Sequence, residues 1–442
     1  MRGGKHKSTK GFLSLPTVVV ISTLVLALGA GAVVLATSRP GKSNVAGAAT
    51  TGNKSSHKRR GHSASTTTTT VPIATGPLSV ASISPAANAQ SVGWNAPVTV
   101  QYNEALSTST PLPTLSPALP GSWDRVSDTT LEFRPTGQYV PYQKETLTVP
   151  ANSESSGGST LGHAVSSSFT VKGAPVLRLQ ELLAELGYLP VSFTPSSGAS
   201  PSSTAQALTT PPAGVTPTPP APSITGTTLL TAPGPGPTHD FEPSNPADVP
   251  LQPLPGQFTW RFSNIPATLS NLWTPGQYNT ITKGAVMAFE NNHGMADDGV
   301  AGPLVWGALL KAVAAHQYDT SPYDYVYVTQ NQPEYVTVWR DGVNVFTTLA
   351  NTGIPQSPTQ VGTWPVYLRY QVTTMSGVNP NGTPYNDPGI PWVSYFNGGD
   401  ALHGFLRAQY GFPQSLGCVE MPFSSAGTVW PMTPIGTLVT VL

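Results

Sequence analysis

The chain has 442 residues, enough for about three domains of typical size, and it carries 21 Lys+Arg against 21 Asp+Glu. Because nucleic-acid binding by phosphate neutralisation needs a basic surplus, this neutral balance and the 10% charged content exclude that class. The single cysteine, Cys418, excludes an intrachain disulfide framework and a cysteine-based zinc cluster.

The N-terminus has the pattern of a membrane span. Residues 11–38 carry no charged side chain, and their apolar run is long enough for a helix to cross a bilayer. Basic residues precede the run, so the positive-inside rule predicts that residues 1–10 are cytoplasmic. A signal peptide cleaved near Ala30-Gly31-Ala32 is the alternative. Both interpretations place the rest of the chain outside the plasma membrane, in the cell-wall space.

Two segments of different composition follow the span. Residues 39–76 are rich in Ser, Thr, Gly and Ala, a composition that buries too little apolar surface to fold, and we expect a disordered linker. Residues 77–172 contain short alternating runs, such as Val98–Tyr102, between Pro- and Gly-rich turns. Closely spaced short strands of this kind are typical of a β-sandwich, which would act here as a spacer.

Residues 175–315 contain three helical patterns, interrupted by a Pro-rich insertion at residues 192–255. The third pattern begins after the turn at residues 298–303, whose sequence is Asp-Gly-Val-Ala-Gly-Pro, and it includes Trp306. This Asp-Gly-x-x-Gly-Pro signature resembles that of the peptidoglycan-binding three-helix module of bacterial wall enzymes. The resemblance implies glycan binding; a plain helical bundle is the alternative.

The segment 324–442 predicts a mostly β unit, with a hairpin turn at Asp341-Gly342. It contains Cys418 and, fifteen positions upstream, His403, a spacing that adjacent strands can bring together. A lone cysteine is often only a small buried apolar residue. An exported protein, however, gains nothing from an unpaired thiol unless the thiol is used or shielded.

The chemistry of a thiol nucleophile needs both residues. A free thiol is mostly protonated at neutral pH, so an imidazole must accept its proton and later protonate the leaving amine. The second ring nitrogen of His403 needs an orienting partner, for which we expect the backbone carbonyl of Gly404. The backbone N–H groups of Gly417 and Cys418 are candidate donors to the developing oxyanion.

At these residues the segment resembles the catalytic domain of the L,D-transpeptidases. The motif of that family is His-Gly followed by Ser-His-Gly-Cys; here it is His403-Gly404 followed by Ser415-Leu416-Gly417-Cys418. The domain order is similar to that of an actinobacterial group of these enzymes. The resemblance implies a multidomain, mainly β chain with an N-terminal transmembrane helix, an Ig-like β-sandwich, a small three-helix peptidoglycan-binding module and a β-rich catalytic domain.

The resemblance also implies the reaction. Cys418 would attack the third residue of a stem tetrapeptide, a diamino acid, release D-Ala, and pass the acyl group from a thioester to a second stem as a 3→3 cross-link. No cofactor and no metal is implied. The expected partners of the monomer are peptidoglycan stem peptides, glycan and the plasma membrane. The implied substrate-binding residues are Tyr385, Trp392, Phe396, Ser415 and Glu420.

Two departures from the family motif leave alternatives open. Leu416 stands where the family has a second His, and Glu420 stands where it usually has an Arg. The chain is therefore also compatible with a catalytically decayed wall-binding protein. An L,D-carboxypeptidase or hydrolase that uses the same Cys-His site is the third interpretation.

Overall fold

The computed structural model describes residues 76–196 and 245–442. The predicted span at 11–38 and the predicted linker up to residue 75 lie outside this part of the chain, as do residues 197–244 of the insertion. The described residues belong to one compact unit. No helix among the described residues is long and apolar enough to cross a membrane.

Seven strands form two antiparallel sheets in the first part of the chain. They are β1 (Val80–Ser84), β2 (Val98–Tyr102), β3 (Thr114–Ser116), β4 (Gly121–Ser127), β5 (Thr130–Pro135), β6 (Lys144–Val149) and β7 (Val165–Thr170). One sheet has the order β1-β2-β5-β4 and the other β3-β6-β7. Because side chains alternate along a strand, Val98, Val100 and Tyr102 of β2 all point into the core.

A mainly helical part follows. Its elements are α1 (Val176–Glu185), β8 (Val191–Pro195), β9 (Gly256–Trp260), α2 (Ala267–Ser270), α3 (Thr280–Asn292) and α4 (Pro303–Ala314). The α1, α3 and α4 helices occupy the three segments with helical patterns. Strands β8 and β9 pair antiparallel, so the predicted insertion at 192–255 is too wide: residues 192–195 belong to strand β8, and Leu251 is fully buried.

A buried ion pair within α1 is hydrogen-bonded to the chain at residues 250–254. Arg178 Nη1 lies 2.7 Å from Glu181 Oε2, and both side chains are almost fully buried. Arg178 Nε also donates to the carbonyl of Pro250, and the Leu254 N–H donates to Glu181. Because each buried charge has a partner, this part of the fold avoids the large cost of an isolated ion.

The C-terminal part contains two further sheets and a short helix. The elements are β10 (Asp324–Thr329), β11 (Tyr335–Arg340), β12 (Val343–Leu349), β13 (Gly362–Pro365), β14 (Leu368–Val378), β15 (Pro384–Asn397), β16 (Asp400–Gly404), β17 (Val419–Met421), α5 (Phe423–Val429) and β18 (Leu438–Val441). The larger sheet has the order β12-β11-β10-β18-β13 and the smaller β14-β15-β16-β17. The β16–β17 pair is parallel.

The helical part packs against the larger C-terminal sheet. The Tyr325 hydroxyl of β10 lies 2.8 Å from the Thr268 hydroxyl of α2, and Trp339 of β11 donates its indole N–H to the carbonyl of Asn264. Gly284 of α3 approaches Gly436 so closely that a Cβ on Gly284 would lie 2.5 Å from the Gly436 carbonyl oxygen. Glycine is therefore required at this contact between the helix and the sheet.

The smaller sheet has an inner and an outer face. On the inner face Phe396, Leu402 and Met421 are buried in the core of the C-terminal part. On the outer face a separate apolar cluster forms around Val393 and Ala401, and Cys418 packs at its margin. The outer face of this sheet is where the candidate catalytic residues lie.

Candidate active site

The parallel pairing of β16 and β17 places Cys418 and His403 on the same face of the sheet. His403 is the Cα partner of Glu420, and Leu402 is the partner of Val419. Because side chains alternate, His403, Glu420 and Cys418, which directly precedes β17, all project from the outer face. The local sequence thus brings the predicted nucleophile and base to neighbouring positions on adjacent strands.

The Cys418 thiol is partly exposed and lies against apolar neighbours. Its sulfur donates to the carbonyl oxygen of Gly399 at 3.6 Å. Burial raises the pKa of the Cys418 thiol to about 12. The hydrogen bond from the Ala401 N–H favours the thiolate, whereas the carboxylates of Asp400 and Glu420 oppose it. The resting thiol is therefore protonated at neutral pH.

The His403 ring is held by the carbonyl that the sequence analysis expected. His403 Nδ1 lies 3.0 Å from the Gly404 carbonyl oxygen, and a carbonyl accepts only, so Nδ1 carries the proton in the neutral ring. Nε2 is then free to accept a proton. Burial lowers the pKa of His403, while the Gly404 carbonyl and the Glu420 carboxylate act in the opposite direction.

The loop before Cys418 is fixed by hydroxyl groups that the sequence analysis did not identify. Ser357 donates to the Leu416 carbonyl at 2.9 Å, and Thr359 donates to the Gly417 carbonyl at 2.7 Å. Gly417 has φ +117°, and a Cβ there would lie 2.4 Å from Asp400 Oδ1. A glycine is therefore needed at this position for both conformation and space.

The predicted oxyanion donor at Gly417 needs a correction. The Gly417 N–H donates to the Ser415 hydroxyl at 3.2 Å, so it is already engaged inside the loop. The Ser415 hydroxyl in turn donates to the Cys418 carbonyl. Of the two N–H groups considered, that of Cys418 is the one left to face a developing oxyanion. Ser415, predicted to bind substrate, is almost fully buried, and its hydroxyl is engaged within the loop.

Two predicted substrate-binding residues lie on the wrong face. Phe396 is 2% exposed and belongs to the inner core, where no substrate reaches it. Trp392 packs on Trp430, with ring centroids 5.5 Å apart, and Trp430 follows the helix α5 that covers this face. Trp392 has φ +59°, which changes the alternation of β15 at that point. The family resemblance implied both aromatic residues as substrate-binding but could not assign their faces.

Tyr385 and Tyr395 lie near the thiol. Tyr395 is the Cα partner of Ala401 and packs in the same apolar cluster as Cys418. Burial raises the pKa values of both tyrosines, and the charge of the Cys418 thiolate raises them further. Tyr385 was predicted and Tyr395 was missed. The turn Asn397-Gly398-Gly399-Asp400 is the signal that could have set the register and placed Tyr395 opposite Ala401.

Glu420, predicted to bind substrate, is engaged by Arg407. Arg407 Nε lies 2.7 Å from Glu420 Oε2, and Nη2 lies 2.8 Å from Oε1. The Glu420 side chain is only 6% exposed. Its carboxylate is therefore not available to a ligand. Within residues 76–196 and 245–442, no cluster of three or more His, Cys, Asp or Glu side chains could hold a metal ion.

Two family comparisons match this architecture. Residues 324–441 match the L,D-transpeptidase catalytic domain family, and residues 74–171 match the bacterial Ig-like domain family. The chain combines these two domains. The prediction of a mainly β, multidomain chain with an Ig-like and an L,D-transpeptidase domain is thereby confirmed. Neither match covers the helices between the two domains, so glycan binding there stays a prediction.

Solved L,D-transpeptidases also align with the chain. An L,D-transpeptidase from Mycobacterium smegmatis is 13% identical, with 83% of this chain and 100% of that chain covered and a TM-score of 0.25. L,D-transpeptidase 3 from Mycobacterium tuberculosis is 12% identical, with 82% and 98% covered and a TM-score of 0.25. The catalytic domain of the E. faecium L,D-transpeptidase is 25% identical, with 28% and 100% covered and a TM-score of 0.25.

At such TM-scores no structural conclusion follows from these alignments. No curated protein matches the sequence. The L,D-transpeptidase domain is therefore assigned from the match of residues 324–441, and the roles of its residues are argued from their geometry.

Proposed function

We propose that the chain is a cysteine-dependent L,D-transpeptidase that forms 3→3 cross-links in peptidoglycan. The observation that carries this proposal is the placement of Cys418 and His403 on the outer face of adjacent parallel strands, with the proton of the neutral His403 ring on Nδ1. The family match of residues 324–441 supports L,D-transpeptidase activity in general.

In the first half-reaction, Nε2 of His403 accepts the proton of the Cys418 thiol. The thiolate attacks the carbonyl carbon of the third stem residue, and the Cys418 N–H stabilises the oxyanion. The tetrahedral intermediate collapses as the C–N bond to D-Ala breaks, and the His403 imidazolium protonates the leaving amine. The product is a thioester on Cys418 and free D-Ala.

In the second half-reaction, the side-chain amine of another stem attacks the thioester. His403 takes a proton from the attacking amine and returns it to the sulfur as the C–S bond breaks. The new amide is the cross-link, and both residues are restored. Water in place of the amine would give the carboxypeptidase or hydrolase reaction, which needs no other residue.

Acylation by a carbapenem tests the nucleophile. The purified protein is incubated with the drug and weighed intact by mass spectrometry. We expect one covalent adduct on the wild type and none on Cys418→Ala; Thr363→Ala, in the larger sheet, is the control and should acylate like the wild type. An unmodified wild-type protein would favour the decayed, wall-binding alternative.

A tetrapeptide substrate with and without an acceptor amine then separates transfer from hydrolysis. We expect the cross-linked product to dominate at saturating acceptor. If free tripeptide acid dominates even then, the enzyme is a carboxypeptidase and not a transferase. The assay follows both products by mass, so the two reactions are measured in one experiment.

We further propose that the helical part binds peptidoglycan and that residues 11–38 anchor the chain in the plasma membrane with the catalytic domain outside. Exposed apolar side chains at Val300 and Leu304, next to the Asp-Gly turn, support the first point. Val300→Glu with Leu304→Glu should reduce sedimentation with isolated cell walls, whereas Val126→Glu on the Ig-like domain should not. Equal sedimentation of all variants would leave the helices a structural role only.

A further inference from the structure

The Arg407–Glu420 ion pair lies beside the proposed base. Glu420 is the Cα partner of His403 on the neighbouring strand, and both side chains project from the outer face. The Glu420 backbone is fixed on its other side, where its N–H and carbonyl pair with Asn351 at 2.9 Å each. The carboxylate is thus held at a constant position next to the imidazole.

Arg407 holds the carboxylate and also contacts the neighbour of the ring. Its guanidinium binds Glu420 through two nitrogens and lies over the Phe405 ring, 4.6 Å from the centroid. Phe405 meets the His403 ring edge-on, with centroids 6.0 Å apart. Arg407 Nη2 also donates to the Gln414 carbonyl. These contacts fix the pair relative to His403 on several sides.

Stability alone does not require a charged pair at this place. A buried ion pair recovers little more than its desolvation cost, and apolar residues of similar size often stabilise as well. The charges do, however, affect the transfer of the proton from the Cys418 thiol to the His403 ring. A carboxylate beside an imidazole favours the imidazolium form, which is the form produced when the Cys418 thiol gives up its proton.

We propose that Glu420, held by Arg407, is a positioning residue that stabilises the protonated ring of His403 and so promotes proton transfer from Cys418. This inference rests on the proposed function. It also gives a physical role to the residue that replaces the family's usual Arg. Glu420 opposes the thiolate too, but its Cα partner on the neighbouring strand is His403, and the alkylation rate measures which of the two effects prevails.

Other charged groups face the same site and also influence the titration of His403 and Cys418. Asp387 of β15 also favours the imidazolium, whereas Arg407 disfavours it. Around the sulfur, Asp400 and Glu420 both disfavour the thiolate of Cys418. Tyr385 and Tyr395 lie nearby. None of these side chains is removed in a Glu420 variant, and Arg407, which loses its partner there, continues to disfavour the imidazolium.

The test measures alkylation of the thiol by iodoacetamide from pH 5 to 10. Because the chain has one cysteine, the rate reports on Cys418 alone and needs no stem peptide. Glu420→Gln should lower the rate at pH 7 about tenfold, because the ring becomes a weaker base, and move the limb that reports titration of His403 to lower pH, as expected for a fall of about one unit in the pKa of the base. Glu420→Asp, which keeps the charge, should restore most of the rate.

Asp324→Asn provides the matched control. The Asp324–Arg340 pair has the same bidentate geometry, with distances of 2.7 and 2.7 Å, and a similarly buried carboxylate in the larger sheet of the same domain. Both variants lose an ion pair and should lower the Tm. Only Glu420→Gln should change the pH profile of alkylation.

The inference is overturned if Glu420→Gln loses thermal stability but keeps the wild-type pH profile. Should that variant fail to fold, Glu420→Met combined with Arg407→Met leaves no buried charge unpaired and is compared with Arg407→Met alone, because Arg407 itself acts on the ring; equal profiles of these two variants would have the same meaning. A normal peptide turnover with an unchanged profile would refute only this inference. A shifted profile without turnover by the wild type would refute only the proposed function.

Discussion

The two faces of the smaller C-terminal sheet are built from the same strands but differ in what they do. On the inner face, Phe396 and Leu402 are at most 2% exposed and belong to the domain core. On the outer face, Leu368 and Tyr370 are 38% and 42% exposed, and Cys418 and His403 lie on the same side. Successive residues of one strand therefore serve packing and chemistry in turn, and substitutions should separate the two roles.

The largest expected effect is on the outer face. His403→Gln removes the group that accepts the thiol proton, and we expect the rate of acylation by a carbapenem to fall by about 10²–10⁴. Stopped-flow or time-resolved mass spectrometry measures the rate, and a Tm measurement shows whether the protein stays folded. A folded variant that acylates as fast as the wild type would contradict the role of His403.

A substitution on the inner face should lower the stability of the protein rather than its acylation rate. Phe396→Ala leaves a cavity in the core and should lower the free energy of unfolding by about 3–5 kcal/mol, with little change in the acylation rate of the folded protein. Tyr395→Ala, one residue earlier on the outer face, should cost less stability and change the acylation rate more. Urea unfolding and acylation of both variants measure the contrast. If both lose only stability, the assignment of faces is wrong.

The last prediction concerns the pH dependence of the thiol without its base, where each single pH unit has only a moderate effect. Burial disfavours the thiolate and raises the pKa of Cys418 to about 12, so below that pH the thiolate fraction falls tenfold with each unit. In His403→Gln, where no imidazole accepts the proton, alkylation by iodoacetamide should rise about tenfold per unit from pH 7 to 10. A plateau of the rate below pH 9 would show that burial is not the dominant influence on this thiol.

The residue types of the site were predictable because the chemistry allows few choices. The single Cys418, the upstream His403 and the glycine next to each of them are visible in the sequence, and the alternating runs predict strands on both sides of them. The expected hydrogen-bond partner of the His403 ring, the Gly404 carbonyl, was also predictable because it belongs to the next residue in the chain. Helices α1, α3 and α4 likewise follow from periods of three and four residues.

The contacts of the predicted residues depended on register and could not be read from composition. Phe396 and Tyr395 are adjacent aromatic residues, and a shift of one position exchanges their faces. The pairing of Glu420 with Arg407, thirteen positions away, exists because a loop returns one strand parallel to the other. The role of Gly417 also changed, since the Ser415 hydroxyl takes the N–H that an oxyanion would need.

The sequence by itself determined the chemical groups of this protein and the local structures that carry them, because a nucleophilic thiol, a titratable ring and a hydrophobic period are properties of residue types and their spacing. Only the tertiary structure decided which side chains face the thiol, which are buried behind it and which charge stands beside His403. Those outcomes depend on strand pairing between residues distant in the chain. A shift of the pairing by one residue moves every side chain of a strand to the opposite face of the sheet.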